Sequence, residues 1–149
     1  MGFLKILLVE DEFLIALDLE QILQDAGHTV CGIATNRDEA ITLARSQTPH
    51  LVFLDMNLSD GLTGPDIARE FLRSGGPRAV YLSANASKLP NDFDEVIGVI
   101  AKPFSPHEVL DAAAYLAEGL LAPPPKLPRP ASLRLSSVIA QEWGNFSQQ

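Results

Sequence analysis

Short runs rich in Leu, Ile and Val alternate along this chain with longer segments whose apolar residues recur at helical spacing. Lys5–Val9 is apolar after its first residue, and Asp11 follows in the position of a helix cap. Leu14, Leu17, Ile22 and Leu23 then fall at helical spacing, and that segment ends at Gly27, a residue suited to a helix C-terminus. Thr29–Ala34 predicts a second strand. Asn36 and Glu39 form a cap pair ahead of a helix that carries Ala40, Ile41 and Ala44. Leu51–Leu54 predicts a third strand, buried on both faces because no polar residue alternates with its apolar ones. A Gly-containing loop leads to Pro65, which opens a helix to about Arg73. Ala79–Leu82 and Val96–Ala101 predict strands four and five. Ser105-Pro106-His107-Glu108 is a capping box with Pro at the first helical position, starting a helix that runs to about Glu118.

Strands alternating with helices imply right-handed crossovers, a parallel sheet and helices on both faces, so the fold class is α/β and doubly wound. Ligands of such sheets sit outside the carboxyl ends of the strands. Polar residues break the apolar pattern at four of those ends: Glu10 and Asp11 after the first strand, Asp55 after the third, Ser83 after the fourth and Lys102-Pro103 after the fifth. Taken singly, each reads as a cap, a turn or a loop start, and Glu10-Asp11-Glu12 reads as an acidic first turn at the positive end of a helix. A parallel sheet brings them to one edge together. Three carboxylates in one place repel each other and suit a hard divalent cation such as Mg2+, while a Lys and a Ser hydroxyl suit an anion. The combination fits an aspartate that accepts a phosphoryl group.

Composition narrows the function classes. The 149 residues carry a net charge of −8, which argues against phosphate-backbone binding, so no nucleic-acid partner is expected. Residues 1–121 hold 8 basic against 18 acidic residues, while 122–149 hold Lys126, Arg129 and Arg134 against Glu142, so an acidic body carries a mildly basic tail. Cys31 is alone and His28, His50 and His107 are dispersed, so neither an internal disulfide nor a Cys/His metal site is expected. No apolar run reaches the length of a membrane span, and the N-terminal run lacks the pattern of a signal peptide. Ile6 stands where a myristoylation motif wants Ser or Thr. The expected location is cytoplasmic, away from membranes.

Four blocks in order, Leu7-Leu8-Val9-Glu10-Asp11-Glu12, Val52-Phe53-Leu54-Asp55-Met56-Asn57-Leu58, Tyr81-Leu82-Ser83-Ala84 and Ala101-Lys102-Pro103-Phe104, closely resemble the response-regulator receiver domains of two-component signalling, the CheY-like family. The resemblance covers about residues 3–120. It implies a flavodoxin-like five-stranded parallel sheet in the order 2-1-3-4-5. It implies further that Asp55 takes a phosphoryl group from a histidine kinase or a histidine phosphotransfer protein. By the same resemblance Asp11 and Asp55 bind Mg2+ directly, the Asn57 backbone carbonyl is a further ligand, and Glu10 acts through water. Lys102 would pair with the phosphoryl oxygens, Ser83 would move to bond one of them, and Lys102-Pro103 would be a cis peptide. The stretch from Asp55 to Pro65 resembles receivers of alphaproteobacterial stress and light-sensing pathways.

Three departures stand out. Val99 occupies the place, three before Lys102, where such receivers usually carry an aromatic switch residue. The stretch between Ser83 and Lys102 holds Leu89-Pro90-Asn91-Asp92, and an internal Pro costs a helix about 3 kcal/mol, so a truncated or irregular fourth helix is expected. Residues 122–130 contain Pro123, Pro124, Pro125, Pro128 and Pro130, which predicts a stiff extended linker, with an SH3-type ligand as the other reading. Beyond it, in 131–149, Leu135, Val138, Ile139, Trp143 and Phe146 lie on one face of a helix. That segment is expected to dock on a receiver near the weakened fourth helix, its own or a neighbour's, or to stay disordered until it meets a kinase. A homodimer through the fourth helix, fifth strand and fifth helix, or through the tail, is a related expectation.

The expected function is thus a single-domain response regulator that acts through protein contacts and is no enzyme beyond its own phosphotransfer and dephosphorylation. A phosphorylation-independent adaptor is one alternative. A haloacid-dehalogenase-like phosphatase is the other, against which Asn57 stands where a second Asp should serve as general acid.

Overall fold

The computed structural model describes residues 2–58, 60–86, 89 and 93–147, the last three by their helical backbone alone. Five parallel strands, β1 (Lys5–Val9), β2 (Thr29–Ala34), β3 (Leu51–Asp55), β4 (Arg78–Ser83) and β5 (Gly98–Ala101), follow the boundaries expected from the apolar runs within about two residues. A sixth strand, β6 (Leu133–Leu135), adds to β5 in the antiparallel sense, giving the order β2-β1-β3-β4-β5-β6. The expected parallel order 2-1-3-4-5 holds, and the one correction is the added antiparallel sixth strand at its β5 edge. The helices are α1 (Phe13–Asp25), α2 (Arg37–Gln47), α3 (Gly64–Ser74), α4 (Pro106–Leu121) and α5 (Ser137–Ser147).

Alternation along the strands divides the core in two. Ile6, Leu8, Phe53 and Ile100 face α1 and α4, whereas Leu7, Val9, Val52, Leu54 and Val99 face α2 and α3. All five residues of β3 are buried, Leu51–Leu54 as their unbroken apolar run requires and Asp55 with them. Asn36 caps α2 by accepting from the Glu39 N–H, and Ser105 and Glu108 close a reciprocal capping box on α4. Other expectations are corrected. Asp11 is not the cap of α1; Glu12 holds that position and makes no side-chain cap bond. Leu14 and Leu17 face solvent, because α1 turns Ala16, Leu19, Ile22 and Leu23 toward the sheet. Between β4 and β5 no described residue lies in an α-helix, and residues 87–88 and 90–92 of that expected fourth helix lie outside the described residues.

The C-terminal segment departs most from expectation. It is not helical throughout: Leu133-Arg134-Leu135 alternates inward and outward as a strand before α5 begins. Leu135 thus belongs to the sheet, Val138 is exposed, and Ile139 and Trp143 are buried. The Phe146 side chain lies outside the described residues. The Pro-rich connection is no free extended spacer either. It folds back on α4, where one Glu118 carboxylate oxygen accepts from the Lys126 and Leu127 N–H groups, both at 2.8 Å.

Two glycines admit the tail. A Cβ on Gly98 would sit 2.8 Å from the Arg134 carbonyl oxygen, so β6 approaches β5 only because that atom is missing. A Cβ on Gly119 would run into the Trp143 ring, which also stands edge-on to Tyr115 with centroids 5.7 Å apart. Gly119→Ala is therefore expected to displace Trp143 and lower stability by about 1–3 kcal/mol through overpacking. That exceeds the gain of about 1 kcal/mol that Ala brings to a helix interior. Urea unfolding together with a red shift of Trp143 emission measures it, and a more stable variant with unchanged emission would refute it.

Candidate phosphoacceptor and metal site

The parallel arrangement carries β1, β3, β4 and β5 to one edge, and the residues at their ends meet there. Glu10 follows β1, Asp55 ends β3, Ser83 ends β4, and Lys102 follows β5. Lys102 Nζ lies 3.1 Å from Glu10 Oε2 and 3.2 Å from Asp55 Oδ2, bridging residues 92 and 47 positions away in sequence. Glu10 and Asp55 are buried at 1% and 5% exposure, while Asp11 is half-buried. Each of these three carboxylates offers an oxygen within 4.8 Å of the others.

The charges do not balance within the protein. One ammonium faces three carboxylate groups, a donor set of oxygens alone that could hold a divalent cation. Asp55 is held from behind as well, since the Asn57 N–H donates to its Oδ1 at 3.1 Å. Ser83 is buried, and its hydroxyl oxygen accepts from the Asn85 N–H at 3.0 Å, so it is engaged with its own loop rather than with Asp55. The Lys102 N–H donates to the Ser83 carbonyl at 2.9 Å, and Lys102–Pro103 is cis.

Electrostatics follow from this crowding. Burial first, then the neighbouring Asp55, pushes the Glu10 carboxyl up from 4.5 to about 7, against the opposing pull of Lys102 and the Glu12 N–H. Burial acts to lower the Lys102 ammonium, but Glu10 and Asp55 outweigh it and hold the group above its ordinary value. Folded protein thus keeps a proton on Glu10 that the unfolded chain loses near pH 4.5. That contribution to stability is full below about 4.5 and is lost as the pH rises to about 7. In cation-free buffer, Glu10→Gln is expected to flatten the decline of the melting temperature between pH 5 and 7. An unchanged slope in thermal scans would contradict it.

Of the other expected residues, Val99 is fully buried on β5, paired with Tyr81 of β4 on one side and Arg134 of β6 on the other. Tyr81 donates its hydroxyl to Glu95 Oε2 at 2.9 Å and does not reach the carboxylate pocket. Leu135, Ile139 and Trp143 lie against β5 and α4, apart from the carboxylates, with Val138 on the outside. Sequence reasoning missed Arg134, whose guanidinium donates to the Ala86 and Leu89 carbonyls, both at 3.0 Å, and lies 5.0 Å from the Phe93 ring centre. The alternation Leu-Arg-Leu between Ser132 and Ser136 was the available signal for a strand there.

Beside the pocket, Phe13 and Leu14 are exposed at 69% and 80%. A neighbouring cavity of about 350 Å³ is lined by Ile15, Asp18, Ala84, Lys102, Pro103 and Phe104. Among the described residues no helix is long and apolar enough to cross a membrane.

The family model described as the response regulator receiver domain matches residues 6–114. The phyllosphere-induced regulator PhyR of Methylorubrum extorquens is 37% identical over 107 residues, which cover 70% of this chain and 40% of that protein. The crystal structure of the response regulator PhyR from Brucella abortus superposes with a TM-score of 0.65 at 31% identity, over 80% of this chain and 48% of that one. The anti-anti-sigma factor PhyR of Bartonella quintana, solved in complex with the anti-sigma factor NepR, gives a TM-score of 0.50 at 33% identity, over 53% of this chain and 33% of that one. The chain therefore spans less than half the length of these relatives.

Proposed function

Because this chain belongs to the response-regulator receiver family, we propose that it is a signalling module that accepts a phosphoryl group on Asp55 and passes the signal on through protein contacts. The observation that carries the reading is the pocket itself, with Asp55 beside the half-buried Lys102 ammonium and two further carboxylates at one sheet edge. In the reaction a carboxylate oxygen of Asp55 attacks the phosphorus of a phosphohistidine. A P–O bond forms, the P–N bond breaks, and its electron pair leaves on the imidazole nitrogen. Lys102 holds the charge of the oxygens in flight, and Ser83 lies at the adjacent strand end to receive one of them afterwards.

The oxygen donor set of Asp11, Asp55 and Glu10, with the Asn57 carbonyl proposed beside them, suits Mg2+. When bound, that ion supplies charge neutralisation for the transferred oxygens. A proton on Glu10 competes with it, so Mg2+ is expected to stabilise the protein more at pH 8 than at pH 5.5, by calorimetry. Equal stabilisation at both values would count against Glu10 as part of the cation site. Exposed Phe13 and Leu14, next to the pocket, give a histidine kinase or phosphotransfer protein an apolar place to dock.

Incubation with Mg2+ and a small phosphodonor tests the acceptor reading directly, scored by mass spectrometry for one added phosphoryl group that Asp55→Asn loses. An adaptor that works without phosphorylation is the second reading. The likeness to the anti-anti-sigma factor PhyR, itself solved with a protein partner, supports it and points to an anti-sigma factor as the kind of partner. Partner binding that beryllofluoride leaves unchanged would favour the adaptor.

A further inference from the structure

At the end of the sheet opposite the carboxylates, a histidine stands just before β2 and another just before β3, and both reach the start of β1. The Leu4 N–H donates to His28 Nδ1 at 3.0 Å, and the Lys5 N–H donates to His50 Nδ1 at 2.9 Å. His50 is exposed, whereas His28 is only 8% exposed and stands edge-on to the Phe3 ring, with centroids 6.0 Å apart. With Nδ1 accepting, the His28 proton sits on Nε2. Burial pushes the imidazole below its ordinary value and so keeps the ring neutral. Among the described residues nothing accepts from that Nε2–H, and the atom is not sealed from solvent, because the ring lines a cleft of about 480 Å³. A buried donor without an acceptor is costly, and here it opens onto space that an acceptor can enter.

Phe3, Leu110, Ala114 and Leu127 give the cleft apolar walls, and its other polar side chains are Asp111 and Glu118 of α4. Glu118 is engaged by the Lys126 and Leu127 N–H groups, while among the described residues Asp111 meets only His107 Nε2, at 3.4 Å. We propose that this cleft is a second binding site, for a small uncharged ligand with an aliphatic body and a carboxamide head. The head's carbonyl accepts from the His28 Nε2–H, and its N–H turns to Asp111. Each part of that ligand answers a feature of the cleft. The volume lies in the range of small-molecule sites, about 300–1,000 Å³, and the walls suit an alkyl chain. A carboxylate head would lie beside two carboxylates in a chain of net charge −8. An ammonium head offers His28 no acceptor. A carboxamide both accepts and donates without charge. The site does not depend on Asp55 being the phosphoacceptor, since roughly 20 Å of β1 separates Leu4 from Glu10.

Hexanamide, hexylamine and hexanoate share one carbon-chain length and differ in the head. Each is titrated at neutral pH into the full-length, nitrogen-labelled protein, and NMR follows the backbone amides and His28 Nε2. Hexanamide is expected to shift His28 Nε2 and the amides of Leu4, Leu110, Asp111 and Ala114 saturably. Hexanoate and hexylamine are expected to bind at least about tenfold more weakly. His28→Asn keeps an acceptor near the Nδ1 position and deletes the Nε2 donor. It is expected to stay folded and to bind hexanamide about fivefold more weakly, the worth of one neutral hydrogen bond. Ala114→Leu, at a half-buried helical position on the cleft wall, fills the space and is expected to abolish the shifts. Equal affinity for the three probes, or a preference for hexylamine or hexanoate, overturns the carboxamide reading. Hexanamide shifts that are absent, lie elsewhere in the protein, or survive both substitutions unaltered overturn the site itself.

Discussion

Asp55→Asn is expected to abolish phosphoryl uptake from a small phosphodonor, leaving only background label, while the protein stays folded. The amide oxygen is not an anionic nucleophile, so the P–O bond cannot form at a useful rate. Structurally the change is mild. Lys102 keeps its bond to Glu10 at 3.1 Å, and the pocket loses one of three carboxylates that share a single ammonium. Relief of that repulsion is expected to leave the melting temperature equal to or above that of the parent protein in cation-free buffer. Mass spectrometry and thermal unfolding on the same preparation check both halves. Label retained at full strength would place the acceptor elsewhere, and a collapsed melting temperature would mean that Asp55 serves the fold rather than the chemistry.

Trp143→Ala is expected to cost about 3–5 kcal/mol of the free energy that keeps the tail docked, the range for removing a buried large aromatic side chain. The ring is 5% exposed, packs edge-on to Tyr115, and fills the space left open over Gly119. Its loss strips the principal apolar anchor from α5, and β6 is only three residues long, too short to hold by pairing alone. The free edge of β5 would then be exposed to other chains, so the variant is also expected to self-associate at high concentration. Urea unfolding and light scattering measure the two effects. A variant with the stability and scattering mass of the parent protein would show that the packing of the tail carries no weight in solution.

How much of this was legible beforehand varies by element. The strands β1 to β5 follow from unbroken apolar runs bounded by polar residues, because a central parallel strand is covered on both faces and has no position for a polar side chain. The pocket follows from the same fact, since Glu10, Asp55, Ser83 and Lys102 are where those runs stop. Of the four α1 residues at helical spacing, Ile22 and Leu23 face the sheet and Leu14 and Leu17 do not. Leu14 and Leu17 fit a helical period, but the period does not say which of two apolar faces meets the sheet, and Ala16 and Leu19 do so.

The sequence by itself determined the α/β alternation, the carboxylates and lysine at the strand ends, and the presence of an apolar C-terminal segment that needed covering. Only the tertiary structure decided that this segment divides into a strand and a helix, that its strand extends the sheet at β5, and that Arg134 holds the turn beyond Ser83. The physical reason is range. Burial and backbone periodicity leave their mark within a dozen neighbouring residues, whereas Arg134 meets Ala86 across 48 positions and Trp143 meets Gly119 through the absence of a single carbon atom. Such fits depend on how finished elements come together, and no local pattern encodes them.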